Sequence, residues 1–199
     1  MKKNFRTLIE VSARHIHLSQ KDLFRLFGKN YKLTLLRKIS QPGQYAAKET
    51  VKVAGPGGVF PKVRVVGPGR LKTQLEISRT DAYFLELNPL MRRSGDLTGT
   101  SGGVKVIGPR GSIKMTSGVI IAQRHLHLEP KLAKKYGLKH HQLVSVKIKG
   151  QRSLIFHRVV VRSHPGIDRL SFQIDTDEAN AAGVKGRAYG TVLLKGGEK

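Results

Sequence analysis

The chain has 199 residues, enough for one large or two small domains around a substantial core. It contains no cysteine, which excludes disulfides, thiolate metal ligands and cysteine nucleophiles and leaves His, Asp and Glu as candidate ligands. Lys and Arg outnumber Asp and Glu by 37 to 13, and the formal charge of +24 suits an anionic partner, either nucleic acid or small anionic substrates.

The basic residues are spread along the chain, and no RNA-binding signature with paired aromatics is visible, so nucleic acid is the less favoured partner. No apolar run is long enough for a membrane span. Glu10 and Arg14 interrupt the basic N-terminus before any signal-peptide core, so a cytoplasmic protein is expected.

Residues 5–13 read as a strand, with Phe5, Leu8 and Val11 among polar neighbours. Arg14-His15-Ile16-His17-Leu18 follows, and the same frame returns as Arg124-His125-Leu126-His127-Leu128, a shift of 110 residues. Each copy lies after a β-like run, Leu8 to Val11 and Val119 to Ile121, and before a short amphipathic helix pattern. Alternation in an extended chain points His15 and His17 the same way, and likewise His125 and His127. Paired imidazoles at a strand end make half of a metal site, and zinc is the metal they suit best.

Ser19 can cap a helix beginning near Gln20, with Leu23, Leu26 and Phe27 at helical spacing and Gly28 as its stop. Residues 31–36 read as extended, and Gln41 to Gln44 as a turn. Thr50 to Val53, Val63 to Val66, Val104 to Ile107 and Ser112 to Met115 are β-branched runs separated by Gly-Pro turns. Many short strands with tight turns predict a hairpin-rich, closed or nearly closed sheet. None of these glycines precedes a helix with the Lys-Ser/Thr of a phosphate-cradling loop.

In Thr73 to Ser78, Leu75 and Ile77 take one face, and Gln74, Glu76 and Ser78 the other. Glu76 could complete a metal shell or stand as an exposed strand carboxylate, and the residues alone favour the exposed carboxylate. Arg79 to Ala82 leads into a short helix or turn, Asn88-Pro89 closes it, and residues 92–103 read as a mobile loop.

The second half repeats the plan. Pro130 starts a helix and Gly137 stops it; strands follow at Leu143 to Ile148, Ser153 to Phe156, Val159 to Val161 and Leu170 to Ile174. Asp175 and Glu178 stand at capping-box spacing before a helix ending near Gly183. Residues 191–194 could add a last strand, and the Lys/Gly tail is expected to be disordered. His140, His141 and His157 read as surface residues.

Val11 to Ser19, Ser40 to Ala47, Glu76 to Ala82, Ala122 to His127 and Ile174 to Gly183 together resemble the zinc-dependent phosphotransacylases. These form the phosphate propanoyltransferase family associated with bacterial microcompartments. The resemblance runs in order over nearly the whole chain. It implies a mainly β fold of two β-barrel domains capped by short α-helices, with the chain crossing between barrels. One barrel would be discontinuous, from residues 4–13 and 123–195; the other would span 14–122. Both His pairs would lie at the crossings and build one site.

The reaction implied is exchange of coenzyme A and phosphate on a short acyl group: acetyl-CoA or propanoyl-CoA plus phosphate gives acyl phosphate plus CoA. By resemblance His15, His17 and Glu76 hold one zinc whose open position takes the CoA sulfur. His125 and His127 hold a second, alongside water. Arg70 matches the arginine that holds phosphate, and Ser12, Ala13, Arg14 and Asn180 fall in segments similar to CoA-contacting ones. The family also implies an oligomer, commonly a homodimer. Microcompartment members carry an N-terminal amphipathic extension, and the few residues before the first His pair predict a free cytoplasmic enzyme.

One position departs from the family pattern. A histidine stands immediately before the Ile-Asp-Thr-Asp-Glu segment as the third protein ligand of the second zinc; here that residue is Gln173. A neutral amide binds zinc less well than imidazole. His164 is near in sequence and could substitute. The alternative to the enzyme is a catalytically degenerate basic two-barrel protein that binds CoA or nucleic acid.

Overall fold

The computed structural model describes residues 3–166 and 169–194, so the tail expected to be disordered, 195–199, lies outside the described residues. Strand β1 (Phe5–Val11) buries Phe5, Thr7 and Ile9 and exposes Arg6, the alternation of a half-buried strand. After β2 (His15–His17), helix α1 (Gln20–Phe27) starts where the Ser19 hydroxyl accepts the Asp22 N–H, and it stops at Gly28. Strands β3 (Leu35–Lys38), β4 (Tyr45–Ala54), β5 (Val59–Gly67) and β6 (Gln74–Glu76) come next. Helix α2 (Arg79–Phe84) opens with a capping box: the Ser78 hydroxyl accepts the Asp81 N–H, and the Asp81 carboxylate accepts the Ser78 N–H.

Strands β7 (Leu90–Arg92), β8 (Val104–Ile107), β9 (Ser112–Met115) and β10 (Val119–Ala122) complete the middle of the chain. Strand β11 (His125–His127) leads into α3 (Pro130–Tyr136), with proline in its first turn and Gly137 left-handed at φ 62°. The last elements are β12 (Leu143–Ile148), β13 (Leu154–Arg162), β14 (Ser171–Ile174), α4 (Thr176–Ala181) and β15 (Ala188–Leu193). A second capping box, Asp175 with Glu178, opens α4.

The chain divides into two compact units. The first holds Met1–Ser12, Ser40–Pro42 and Gln123–Lys199, and the second holds Ala13–Ile39 and Gly43–Ala122. In the first unit β1, β14, β11, β13, β12 and β15 close into a six-stranded barrel. Its core gathers Ile9, Leu126, Val146, Val161, Phe172 and Ile174. In the second unit nine strands form one sheet in the order β7-β10-β6-β2-β5-β4-β8-β9, with β3 on β4. Ile16, Leu18, Leu26, Val65 and Leu75 are among its core residues. The mainly β expectation with few short helices is borne out.

Three local expectations change. Residues 31–34 are irregular, and the strand begins only at Leu35. The runs at 153–156 and 159–161 are one strand, β13, because Arg158 adopts a left-handed φ of 57° within it, and that irregularity breaks the alternation without ending the pairing. The loop after β7 is tied down. Gly95 N–H donates to the Gln74 side-chain oxygen (2.9 Å), Gly118 N–H to the Thr100 hydroxyl (3.0 Å), and Val119 N–H to the Ser101 carbonyl (3.0 Å).

Candidate functional site

In the second unit β2 lies between β5, parallel to it, and β6, antiparallel. His15 therefore stands opposite Glu76, and His17 opposite Gln74. Between the histidines, Ile16 is fully buried and anchors the strand to the core. The His15 ring places Nδ1 2.9 Å from the Ala13 carbonyl oxygen, and His17 places Nδ1 3.1 Å from that of Val66. A carbonyl oxygen only accepts, so both Nδ1 atoms carry a proton, and the Nε2 atoms are the ones turned toward Glu76. These two nitrogens lie 3.7 Å and 3.8 Å from Glu76 Oε1.

The electrostatics suit a cation. Burial, then the charges of Arg70 and His15, lower the His17 pKa from 6.5 to about 3, so its ring is neutral. Burial alone would raise the pKa of Glu76. The neighbouring imidazoles, the Ser94 hydroxyl and Arg70 outweigh it and hold the carboxyl at about 2. Glu76 is thus a buried anion, not the exposed strand carboxylate favoured by alternation alone. Its Oε1 accepts from the Ser94 hydroxyl (2.6 Å) and from the Gln74 amide.

His15, His17 and Glu76 offer ligand atoms that all lie within 4.8 Å of one another, and among the described residues they are the one such set of three. Two imidazole nitrogens and a carboxylate oxygen form a donor set that catalytic zinc sites use with one position left open. Zinc bonds of about 2.0–2.1 Å would set tetrahedral ligands about 3.4 Å apart, and the two Nε2 atoms stand 3.7 Å and 3.8 Å from Glu76 Oε1.

Arg70 belongs to the same unit. Its backbone N–H donates to the Leu18 carbonyl (2.8 Å), and its guanidinium lies 3.4 Å from the Ser94 hydroxyl. A fork that matches phosphate oxygens therefore stands beside the His–Glu cluster. The neighbouring turn is held by Thr73, whose hydroxyl accepts from Ser19 N–H (2.9 Å) and donates to Asp22 (2.6 Å). Ser94 and Gln74 link Arg70 to Glu76, and no sequence motif marks either. Alternation places Gln74 on the face of Glu76, but nothing in a polar Gly-rich loop singles out Ser94.

In the first unit β11 pairs antiparallel with β14, and His125 stands opposite Gln173. His125 Nδ1 lies 2.9 Å from the Gln123 carbonyl oxygen, two residues back, as His15 Nδ1 lies beside that of Ala13. His127 is buried, and burial followed by the charges of His125, Arg162 and His164 lowers its pKa to about 3. Its Nε2 is buried without a hydrogen-bond partner. His164 Nδ1 lies 2.9 Å from the Pro165 carbonyl oxygen, and its ring packs edge-on against His140 at 5.6 Å.

The remaining candidates are more dispersed. Ser12 donates its N–H to Ile174 O (2.8 Å) in the first unit, where Asn180 is exposed on α4. Ala13 and Arg14 are exposed in the second. The Arg14 guanidinium is already engaged, 2.6 Å from Asp81 and 4.2 Å from the Phe60 ring centroid. Arg124 repeats this with Glu178 at 2.6 Å. In both copies of the motif, then, the arginine grips the acid of a capping box.

A model of the phosphate propanoyltransferase family matches residues 8–185. The phosphate propanoyltransferase of Thermotoga maritima is 52% identical over 176 residues, covering 88% of this chain and 83% of that protein. The chain belongs to the phosphate propanoyltransferase family. Relatives of the same description from Rhodobacter capsulatus and Sebaldella termitidis are 46% identical over 180 residues and 43% identical over 188. They cover 90% and 94% of this chain, and 83% and 88% of their own lengths. The span matched by the phosphate propanoyltransferase model includes both His pairs, Arg70, Glu76 and Gln173. Membership does not favour the non-catalytic basic binder. Among the described residues no helix is long and apolar enough to cross a membrane.

Proposed function

We propose that this protein is a phosphate acyltransferase, exchanging CoA and phosphate on a short acyl group with the help of zinc. The observation that carries the reading is the buried His15–His17–Glu76 cluster with Arg70 beside it, in a chain 52% identical to a phosphate propanoyltransferase. In the forward direction an oxygen of hydrogen phosphate bonds to the acyl carbonyl carbon, the carbon–sulfur bond breaks, and the proton given up by the phosphate ends on the departing sulfur, so that CoA leaves as its thiol.

Zinc held by His15, His17 and Glu76 would supply Lewis acidity toward the thioester and its sulfur. The rest falls to the chain's own groups. Neutral His17 and ionised Glu76 present lone pairs without first losing protons. Arg70 binds phosphate through its planar fork and orients it as nucleophile. Ser94 and Gln74 fix the Glu76 carboxylate, and burial of His17 and Glu76 keeps bulk water from them.

His125, His127 and Gln173 make up the second metal site in this reading, supported by the orphaned His127 Nε2. Ser12, Ala13, Arg14 and Asn180 contribute to CoA binding, Arg14 mainly by holding the start of α2. The domains follow the chain as residues 4–13 with 123–195, and 14–122. The protein works in the cytoplasm as a homodimer, and its charge of +24 suits CoA and phosphate.

The test is phosphate dependence. Purified protein should release CoA thiol from propanoyl-CoA or acetyl-CoA only when phosphate is present, with acyl phosphate trapped as the hydroxamate. Thiol release independent of phosphate would remove the proposal.

A further inference from the structure

The two His-x-His strands are built alike, and they part company at the carboxylate. His15 faces Glu76 across an antiparallel pair, and His125 faces Gln173 in the same register. On the strand running parallel beside each, Ile120 lies next to Glu76, whereas Glu10 lies next to Gln173. The barrel therefore carries its acid one strand further from its histidines.

Around each acid stands the same pair of side chains. Glu76 accepts from the Ser94 hydroxyl and the Gln74 amide. Glu10 Oε2 accepts from the Ser40 hydroxyl at 2.5 Å and from the Gln173 amide at 3.1 Å. The glutamine that supports the acid in one unit has, in the other, taken the acid's register position opposite a histidine.

The chemistry of Gln173 then follows from its partner. A carboxylate oxygen offers lone pairs, so it takes the amide N–H, and the opposite orientation would set two oxygens against each other. The amide nitrogen is spent on Glu10, and the carbonyl oxygen is the atom left for a ligand. Cross-strand partners share a face of the sheet, so that oxygen belongs to the face of His125. Among the described residues the one set of three His, Asp or Glu side chains that could hold a metal ion is His15, His17 and Glu76, and the contact of Glu10 on this side is with the Gln173 amide.

We propose that Glu10 is the positioning residue of the second metal site: it holds the Gln173 amide by its N–H so that the carbonyl oxygen serves as third protein ligand beside His125 and His127. This rests on the zinc reading given above. A carboxylate behind a ligand fixes its orientation and enriches its donor atom, the role such groups play behind metal-bound histidines. It supplies what the neutral amide lacks relative to imidazole.

Zinc titration of the metal-free full-length chain against a chromophoric chelator tests this directly. The wild type should bind two equivalents. Glu10→Gln should weaken the second by about tenfold to a hundredfold and leave the first unchanged, with circular dichroism and urea unfolding matching the wild type to show that the barrel carrying Glu10 is folded. In a Gln173→Leu background Glu10→Gln should cause no further loss. Ser40→Ala, which frees Glu10 from its other partner, should weaken the same equivalent by a smaller factor.

Wild-type binding of a single equivalent, or unchanged second-site affinity in Glu10→Gln, would overturn the proposal. So would a further loss in the Gln173→Leu background, which would make Glu10 itself the ligand. If Glu10→Gln does not fold, unchanged second-site affinity in Ser40→Ala overturns it instead. A wild type that binds two zinc ions but releases no CoA with phosphate would remove the proposed function and leave this inference standing.

Discussion

His15 stands directly opposite Glu76 across the β2–β6 pair, with Nε2 3.7 Å from Oε1. That pairing joins two residues 61 positions apart in the chain, His15 and Glu76, into one donor set. It depends on register, because a one-residue slip of β6 would turn Glu76 to the core face and bring Leu75 or Ile77 out.

The first prediction concerns Glu76. Glu76→Gln keeps the shape and an oxygen that can accept from Ser94, but removes the charge. Zinc at the first site should then bind at least ~tenfold more weakly, since even residues behind the ligands commonly cost that much. Competitive titration with a chelator would measure it. Affinity equal to the wild type would remove Glu76 from the metal shell.

Arg70 is the second. Loss of charge-assisted hydrogen bonds worth about 1.5–3 kcal/mol corresponds to roughly a tenfold to hundredfold rise in the phosphate KM of Arg70→Ala. Arg70→Lys should recover only part, because an ammonium lacks the fork. The KM for acyl-CoA should move little. Equal kinetics in wild type and Arg70→Ala would make Arg70 a surface residue.

The residue between each histidine pair anchors the site. Ile16 and Leu126 are fully buried, each in the core of its own unit. Ile16→Ala and Leu126→Ala should each destabilise by about 2–5 kcal/mol, read by urea unfolding. A loss below about 1 kcal/mol would mean that the strand is held by its backbone pairing alone.

Much of this site is legible in the sequence for a physical reason. Strand alternation sets His15 and His17 on one side, and the repeated Arg-His-x-His-Leu frame marks them twice. Glu76 is legible only in part. Alternation gives its face, but not that the face is buried, since burial depends on what Ser94 and the loop after β7 bring over it. Ser94 and Ser40 lie in irregular segments where no periodicity points a side chain anywhere. The two-part course of β13 is lost for a related reason, because left-handed Arg158 interrupts the alternation on which strand reading depends. The capping boxes at Ser78 and Asp175 depend on local spacing; Asp175–Glu178 is recognisable directly.

Glu178 gives the pH prediction. Burial raises its pKa to about 7, against the pull of Arg124 2.6 Å away. The folded chain therefore binds this proton more tightly than the unfolded chain, whose carboxyl titrates near 4.5. The stabilisation is full below the unfolded value and is lost as pH rises through about 7. The melting temperature of the wild type should fall relative to Glu178→Gln between about pH 5 and 7. Parallel profiles for the two proteins would show that Arg124 keeps Glu178 ionised throughout.

The most direct test of the zinc-dependent mechanism is restoration of activity by metal. Protein stripped with chelator and then dialysed free of it should release no CoA from propanoyl-CoA in phosphate buffer, and added zinc should restore release. Glu76→Gln should need far more zinc for the same recovery. Full activity in stripped protein, with zinc near zero by elemental analysis, would contradict a mechanism built on His15, His17 and Glu76.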